Sequence, residues 1–557
     1  MLRCTEYGGI EYLTCQNRFL KLRPLFMNVL ICDPISPKGI ALFKQRPEFK
    51  VTVLDKRLSE AELIPLVGEV EAMVVRSETK ITKKILDAAP KLRVVGRAGV
   101  GVDNVDVEAA TQRGVVVMNT PGGNTITTAE LTFFMLGALA RHIGPAHISM
   151  VAGKWDRKLF QGTELNGKTL GVLGMGRIGG EVAKRALAFN MRVLAYDPFL
   201  SEARARQLGV ELVPDTDAIY SAADFITVHM PVTEQTRGML NAAAFARMKP
   251  GVCIVNCARG EIIDEKDLVA AVESKKVGGV AMDVFAVEPL PADHAFRKLP
   301  NVLLTPHLGA STSEAQEKCG IEVAEIIAAY LLTGEVRNAV NLPFIDAKTF
   351  EEVQPYLLLG EKLGKLLSQL SPANVDRIHV TYGGNARELP NIDPITRSIL
   401  LGFLQAAAIK DVNNVNVRAA AAAAGITVEE KKSDEPVTFN EWLHVAVHAG
   451  NQKVSAGGTF FGSPNNPRIV RLFSQPTEFL PSGVVFLMNN KDRPGIVGYI
   501  GTLMAKHKVN IASMSLSRDA AGGEALTVLN LDSVPPTSLL EEIQKDPDIS
   551  NVRVVKL

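Results

Sequence analysis

Two groups of residues in this chain have the types and spacing of reaction chemistry. The first lies in the stretch GVLGMGRIGGEVAKRALAFNMRVLAYDP, Gly171 to Pro198. Gly174, Gly176 and Gly179 form a GxGxxG turn between a strand-like and a helix-like run, and Asp197 ends the next apolar run. In such a unit the first glycine permits a tight turn, the second lets backbone N–H groups approach a pyrophosphate, and the third lets helix and strand pack closely. The pyrophosphate rests on the helix N-terminus, where unpaired N–H donors and the macrodipole favour an anion. Asp197 follows Gly179 by 18 residues, near the ~20 expected for a ribose-binding acid. Its carboxylate can accept both adenosine ribose hydroxyls and would repel a 2′-phosphate. No Arg follows it in AYDPFL, so the pattern predicts NAD rather than NADP. The competing reading is a plain glycine turn in a nucleotide-free α/β domain.

The second group sits at the ends of later apolar runs, in NCARGEIID, DVFAVEP and TPHLGAST. Ends of parallel strands line the ligand crevice of open α/β sheets. Arg259, Glu288 and His307 are therefore predicted to converge beside the nicotinamide. Together they suit hydride removal from a 2-hydroxy acid. Arg259 can fork onto the carboxylate and the C2 oxygen. His307 can take the hydroxyl proton. Glu288 can hold one ring nitrogen, fix the tautomer and raise the imidazole pKa. Asp283 is placed to bind the carboxamide. Each residue also has a plainer reading: a helix cap for His307, a surface charge for Arg259, a turn residue before Pro289 for Glu288.

The bulk properties say what must position these groups. A chain of 557 residues exceeds one hydrophobic core and implies three or four domains. A net charge of +1 gives no reason to invoke nucleic acid or an acidic membrane surface. The six cysteines are scattered without a CxxC pair, which argues against a disulfide scaffold or a zinc ribbon, and no metal is expected. No apolar run reaches the ~18 residues of a membrane span. The composition, 46% hydrophobic and 22% charged, is that of a folded soluble protein, and the expected location is the cytoplasm. Residues 1–26 lack an apolar signal core, whereas Met27 opens the strand pattern MNVLICDP. The expectation is a start at Met27 or a disordered extension over 1–26, which N-terminal sequencing of native protein would decide.

Residues 27–120 alternate apolar strands (NVLICD, KVTVLD, AMVVRS, RVVGRAG, GVVVMN) with helical patterns, the mark of a parallel sheet buried on both faces. TAELTFFMLGALARHI reads as a long apolar helix. A second series follows: TLGVLGMG, RVLAYD, FITVHM, VCIVNCARG, GGVAMDVF and NVLLTPH. After residue 340 the rhythm breaks. EEKKSDEP is expected to be a loop, the Ala419–Ala424 tract to be helix-prone, and GGTFFGSPNNPRIVRL to be a hairpin turning at Asn465–Pro467. Residues 483–557 read as strand, helix, strand, strand, helix, strand, a ferredoxin-like βαββαβ unit, with Asp492 capping a helix that begins at Pro494.

The stretches NCARG, DVFAVEP, TPHLGAST and the opening glycine unit resemble the D-isomer-specific 2-hydroxyacid dehydrogenases. With VVRSETKIT, VVGRAGVGVDNVD, MNTPGGNT and GKWDRKLFQGTELNGKTLG, the likeness spans residues 27–557 and points to the long form with two extra C-terminal domains. The resemblance implies two doubly wound α/β domains, a flavodoxin-like substrate domain (27–124 with 309–340) and a Rossmann NAD domain (125–308). An α+β intervening regulatory domain (341–482) and a ferredoxin-like ACT domain (483–557) follow. It implies NAD as cofactor, with contacts at Val100, Gly174, Gly176, Arg177, Ile178, Gly179, Asp197, Met230, Cys257, Asp283 and Gly309. It implies Arg259 as the substrate-orienting cation, His307 as acid/base and Glu288 as the partner of that imidazole, with a hinge at NTPGGNT and HLGAST.

The activity implied is NAD-dependent oxidation of D-3-phosphoglycerate to 3-phosphohydroxypyruvate, the first step of serine biosynthesis. Arg76 and Arg97 would hold the substrate phosphate, with Ser77 and Asn124 as weaker candidates. Asn490, Asp492 and Asn510 match the family's positions for an amino-acid effector, L-serine. A homodimer through the nucleotide domain, or a tetramer with ACT pairing, is the expected assembly. Two rivals remain: a relaxed 2-oxoacid reductase acting on 2-oxoglutarate, hydroxypyruvate or glyoxylate, and a NAD-sensing binding protein without catalysis.

Overall fold

A computed structural model describes residues 26–299, 301–342, 347–409, 411–435 and 439–557. The expectation of an N-terminal extension lies outside these, apart from Phe26. Among the described residues there are four sheets. The first contains β1 (Met27–Ile31), β2 (Phe49–Val53), β3 (Ala72–Val75), β4 (Val94–Arg97) and β5 (Val116–Asn119). All pairs are parallel, in the flavodoxin-like order β2-β1-β3-β4-β5. One face of this sheet is covered by a helix from much later in the chain, Ser313–Thr333. It meets the helix Pro37–Lys44 so closely that a Cβ on Gly39 would overlap the Gly320 carbonyl. Its Val323, Ala324, Ile327 and Leu331 join the core of the first sheet.

The second sheet contains β6 (Thr169–Leu173), β7 (Arg192–Tyr196), β8 (Glu211–Leu212), β9 (Phe225–Val228), β10 (Val252–Asn256), β11 (Val277–Met282) and β12 (Val302–Leu304). Its order, β12-β11-β10-β9-β6-β7-β8, is the Rossmann arrangement. The edge strand β8 has only two residues and no sequence signal of its own. The apolar stretch before this sheet forms two helices, Thr125–Ala140 and Ile143–Val151, because His142 takes a left-handed φ of 52° between them. Phe134, Ile148, Val151, Trp155 and Leu159 are exposed on and beside these helices. Two crossings join the α/β units and run side by side: Thr128 Oγ1 donates to the Gly309 carbonyl at 2.7 Å, and the Thr127 and Thr312 hydroxyls lie 3.1 Å apart.

The third sheet is mixed: β13 (Arg377–Gly384), β14 (Thr427–Lys432), β15 (Glu441–Ala449), β16 (Gln452–Phe460), β17 (Pro467–Leu472) and β18 (Gln475–Phe479). Its order is β14-β13-β15-β16-β17-β18, under the helices Ala347–Leu370 and Asp393–Ala406. The hairpin at Asn465–Pro467 forms as expected. EEKKSDEP does not stay a loop. Its first half, Glu429–Lys432, belongs to β14, paired in parallel with β13. An edge strand tolerates charge, and here the charges are answered: Glu430 meets Arg418 at 2.7 Å and Glu429 meets Arg377 at 3.7 Å. A segment beside the helix Val417–Ala423 docks on the first α/β unit, where Asn413 Nδ2 donates to the Gly114 carbonyl at 2.9 Å and Val415 is buried among the core residues of the first sheet.

The fourth sheet contains β19 (Val484–Lys491), β20 (Ile511–Arg518), β21 (Glu524–Leu531) and β22 (Ile549–Lys556), all antiparallel, in the order β20-β21-β19-β22. With the helices Ile496–Lys506 and Thr537–Ile543 it completes βαββαβ. The first of these helices begins at Ile496, not Pro494. Pro494 and Gly495 form a turn, with Gly495 at φ 90° as the residue before the helix. Asp492 is therefore not its cap.

Candidate active site

The three glycines of the second α/β unit occupy three different environments. Gly174 has φ 95°, and a Cβ there would press on the His229 carbonyl and the Met230 side chain at 2.7 Å. A Cβ on Gly179 would overlap the Gly174 carbonyl, so this glycine sets the helix–strand approach. A Cβ on Gly176 would meet nothing within 4 Å. Gly176 therefore serves no internal packing and keeps a space free above the N-terminus of the helix Arg177–Ala188. Asp197 stands at the end of β7. Its Oδ2 accepts from Met175 N and its Oδ1 from Phe199 N, both at 2.8 Å, which fixes the carboxylate while leaving each oxygen a second lone pair. An open pyrophosphate cradle beside an anchored carboxylate fits a dinucleotide without a 2′-phosphate. Ile178 packs in the core beneath, and Arg177 is exposed towards Gly122 on the crossing between the units.

His307 follows β12 in a left-handed conformation, φ 56°. A non-glycine residue holds this only when its surroundings impose it. Here Asp283 imposes it. Its carbonyl accepts from His307 N at 2.9 Å, its Oδ1 from Leu308 N and Thr305 Oγ1, and its Oδ2 from Gly309 N. Burial holds the Asp283 carboxyl above the usual range against these donors. Asp283 thus builds the His307 loop, a role absent from the expectation that it binds a carboxamide. The imidazole Nδ1 lies 2.8 Å from Glu288 Oε2, while Glu288 Oε1 accepts from Phe285 N at 3.0 Å. Partial burial acts upward on Glu288, but the bond and charge of His307, with Phe285 N–H and Arg259, bring it below the usual carboxylate range. Nδ1–H therefore donates to a carboxylate, leaving Nε2 free. Cys257, after β10, is buried with its sulfur 3.6 Å from Met135 Sδ, and burial pushes the thiol up to about 12.

Arg259 reaches back to the first unit. Its Nε donates to Asp103 Oδ2 at 2.9 Å and its Nη1 to the Ala258 carbonyl at 2.6 Å. Arg97, at the end of β4, is the other guanidinium here. Burial, together with the charges of Arg259 and Arg76, lowers it to about 10, so it stays charged at neutral pH. Its Nε is buried and has no acceptor. Thr120 Oγ1, Asn124 Oδ1 and Thr125 Oγ1, also buried on this side, lack partners too. Arg76 is half-buried one residue beyond β3. Its loop is shaped by Asp33, which accepts from Arg76 N at 2.6 Å and Thr79 N at 3.1 Å, and by Asn104, whose amide donates to the Arg76 carbonyl at 2.7 Å. Ser77 is exposed on this loop. The Val100 carbonyl accepts from Asn119 Nδ2 at 2.6 Å.

The effector candidates do not come together. Asn490 is fully buried, its Oδ1 accepting from Thr527 Oγ1 at 2.7 Å and its Nδ2 donating to the Lys491 carbonyl at 3.1 Å. Asp492 Oδ2 accepts from Arg518 Nη1 at 2.7 Å and Gly522 N at 3.0 Å. Asn510 is exposed and bonded to Asp532 at 2.7 Å. Asn490 faces Ala525 at the start of β21, whereas Asn510 faces Asp532 beyond its end. At ~3.3 Å per strand residue the two asparagines are roughly 20 Å apart.

Residues 133–309 match the model of the D-isomer specific 2-hydroxyacid dehydrogenase NAD binding domain, 352–473 the D-3-phosphoglycerate dehydrogenase intervening domain, and 484–548 the ACT domain. D-3-phosphoglycerate dehydrogenase of Synechocystis sp. is 44% identical over 529 residues, covering 95% of this chain and 94% of that one. The chain belongs to the D-3-phosphoglycerate dehydrogenase family. The enzyme of that name from Archaeoglobus fulgidus is 42% identical over 533 residues, 95% of this chain and 100% of that one. Among solved structures, NAD-dependent formate dehydrogenase of Staphylococcus aureus in complex with NAD aligns with TM-score 0.51 at 28% identity, over 56% of this chain and 98% of that one. The family is one of NAD-dependent oxidoreductases, and its cofactor is NAD.

Proposed function

We propose that the protein oxidises D-3-phosphoglycerate to 3-phosphohydroxypyruvate with NAD. Bound NAD supplies the acceptor for the hydride leaving C2. The chain's own groups do the rest. Arg259 binds the substrate carboxylate and C2 oxygen. His307 Nε2 accepts the hydroxyl proton, and Glu288, holding Nδ1–H, fixes that tautomer and stabilises the imidazolium formed. Arg97, with Arg76 and Asn124 nearby, receives the phosphate. Val100, Met230, Cys257 and Gly309 border the nicotinamide. The observation that carries the phosphate part is the charged Arg97 guanidinium, whose buried Nε is unpartnered. A reductase for glyoxylate or hydroxypyruvate needs no second guanidinium for a distal anion, 2-oxoglutarate would place a carboxylate rather than a phosphate there, and a binding protein needs no imidazole–carboxylate couple.

The protein works as a cytoplasmic homodimer or tetramer. The exposed apolar side chains from Phe134 to Leu159 supply one interface. Among the described residues no helix is long and apolar enough to cross a membrane. L-serine binds between ACT domains of two copies, since Asp492 and Asn510 of one chain lie too far apart to share it. The test is NADH oxidation with 3-phosphohydroxypyruvate, 2-oxoglutarate and glyoxylate, with and without L-serine. Preference for the phosphorylated substrate is expected. Equal rates on all three sink the phosphate assignment.

A further inference from the structure

We propose that Asp103 is a positioning residue for Arg259, and that Gly101 is the gap through which it acts. The proposal rests on the reading of Arg259 as the carboxylate-binding group. Arg259 and Asp103 are 156 residues apart and belong to different α/β units, so their 2.9 Å ion pair spans the cleft. A guanidinium is a rigid plane with five N–H donors. The bond from Nε to Asp103 and the bond from Nη1 to the Ala258 carbonyl are two anchors on that plane, and together they fix its rotation. Its end-on edge stays available to a carboxylate.

Gly101 explains how the plane fits. A Cβ at this position would overlap Arg259 Nη2, so any other residue would push the fork out of place. Asp103 has a second action. Arg97 and Arg259 repel one another, and Asp103 opposes that repulsion at Arg97. One carboxylate thus keeps two cations close enough to hold the two anionic ends of a short substrate. Fold maintenance does not account for the pair. The Asp103 side chain is 69% exposed, and exposed ion pairs contribute little to stability.

The test uses the full-length protein with NAD and D-3-phosphoglycerate. Turnover by the unmodified protein comes first; its absence refutes the reading of the function rather than this proposal. Asp103→Asn keeps an acceptor for the Arg259 Nε–H and removes the charge, while Asp103→Ala removes both. The expected result is a KM for D-3-phosphoglycerate raised about tenfold by Asp103→Ala and less by Asp103→Asn, the scale of one charge-assisted hydrogen bond. NADH affinity, followed by fluorescence, and the thermal midpoint stay unchanged. An unchanged KM in both variants overturns the proposal. A lowered KM does too, because Asp103 would then merely repel the anionic substrate. Loss of NADH affinity in step with KM reduces the ion pair to a structural strut.

Discussion

The catalytic cleft and the ACT domain hold their polar residues in opposite states. In the cleft, Arg97, Thr120, Asn124 and Thr125 each bury one side-chain polar atom that is left unpartnered, while Arg259 and His307 are anchored on one side and open on the other. In the ACT domain, Asn490, Asp492 and Asn510 are each bonded within their own chain, at two ends of one sheet. A buried polar atom without a partner costs free energy, so the first region is prepared for a ligand by a single chain. The three effector candidates have their side chains bonded within the chain, which accords with the proposal that they form a site only where two chains meet.

The sharpest way to break this comparison is His307→Ala. Turnover should fall by about 10²–10⁴-fold, the usual worth of a positioned acid/base, with NADH affinity nearly intact. Loss of both would mean that the imidazole holds cofactor instead. A smaller effect tests the other half. In a single-chain reading, Asp492→Ala and Asn510→Ala each abolish serine inhibition, and mixing them restores nothing. In the two-chain reading, co-expressed hybrids carry one interface with both residues intact and should regain about half the response on simple symmetry grounds. Inhibition curves of purified hybrids decide.

The smallest expected effect is on stability. Burial lowers His229, on the strand end facing the glycine turn, to about 3, against an ordinary 6.5. The unfolded chain therefore binds a proton near pH 6.5 that the fold refuses until about pH 3. Stability attributable to this group is complete above pH 6.5 and is lost as pH falls from there towards 3. His229→Asn, which can keep a hydrogen bond to Thr227, should flatten the difference between denaturant midpoints at pH 7.5 and pH 5. An unchanged slope would place the acid sensitivity elsewhere.

Much of this was legible in the sequence because local rules carried it. The spacing of Gly174, Gly176 and Gly179 implied three separate duties, and each glycine stands in a different environment. Strand-end polar residues predicted the meeting of Glu288 and His307. What stayed hidden depends on partners distant in the chain. Asp103 and Gly101, within VVGRAGVGVDNVD, carry no role of their own in the sequence, because the guanidinium that explains them arrives 156 residues after Asp103. The run EEKKSDEP looked like a solvated loop because no local signal tells a charged edge strand from a charged turn. Only β13, with Arg377 and Arg418 opposite, settles it. In MNNKD, strand alternation leaves one asparagine inward, and the buried Thr527 makes it Asn490.

The helix Ser313–Thr333 has a consequence for how the molecule is made. The first five strands leave the ribosome by Asn119, yet the helix that covers one face of their sheet ends at Thr333. At about 5–20 residues per second, roughly 10–40 s of synthesis separate the two. During that interval the second α/β unit can close on itself, while β4 and β5 present bare valines and the Gly96 notch that awaits Ile327. A nascent chain stalled between those points exposes an apolar sheet face, the kind of surface that chaperones hold and that neighbouring chains on a polysome can pair with.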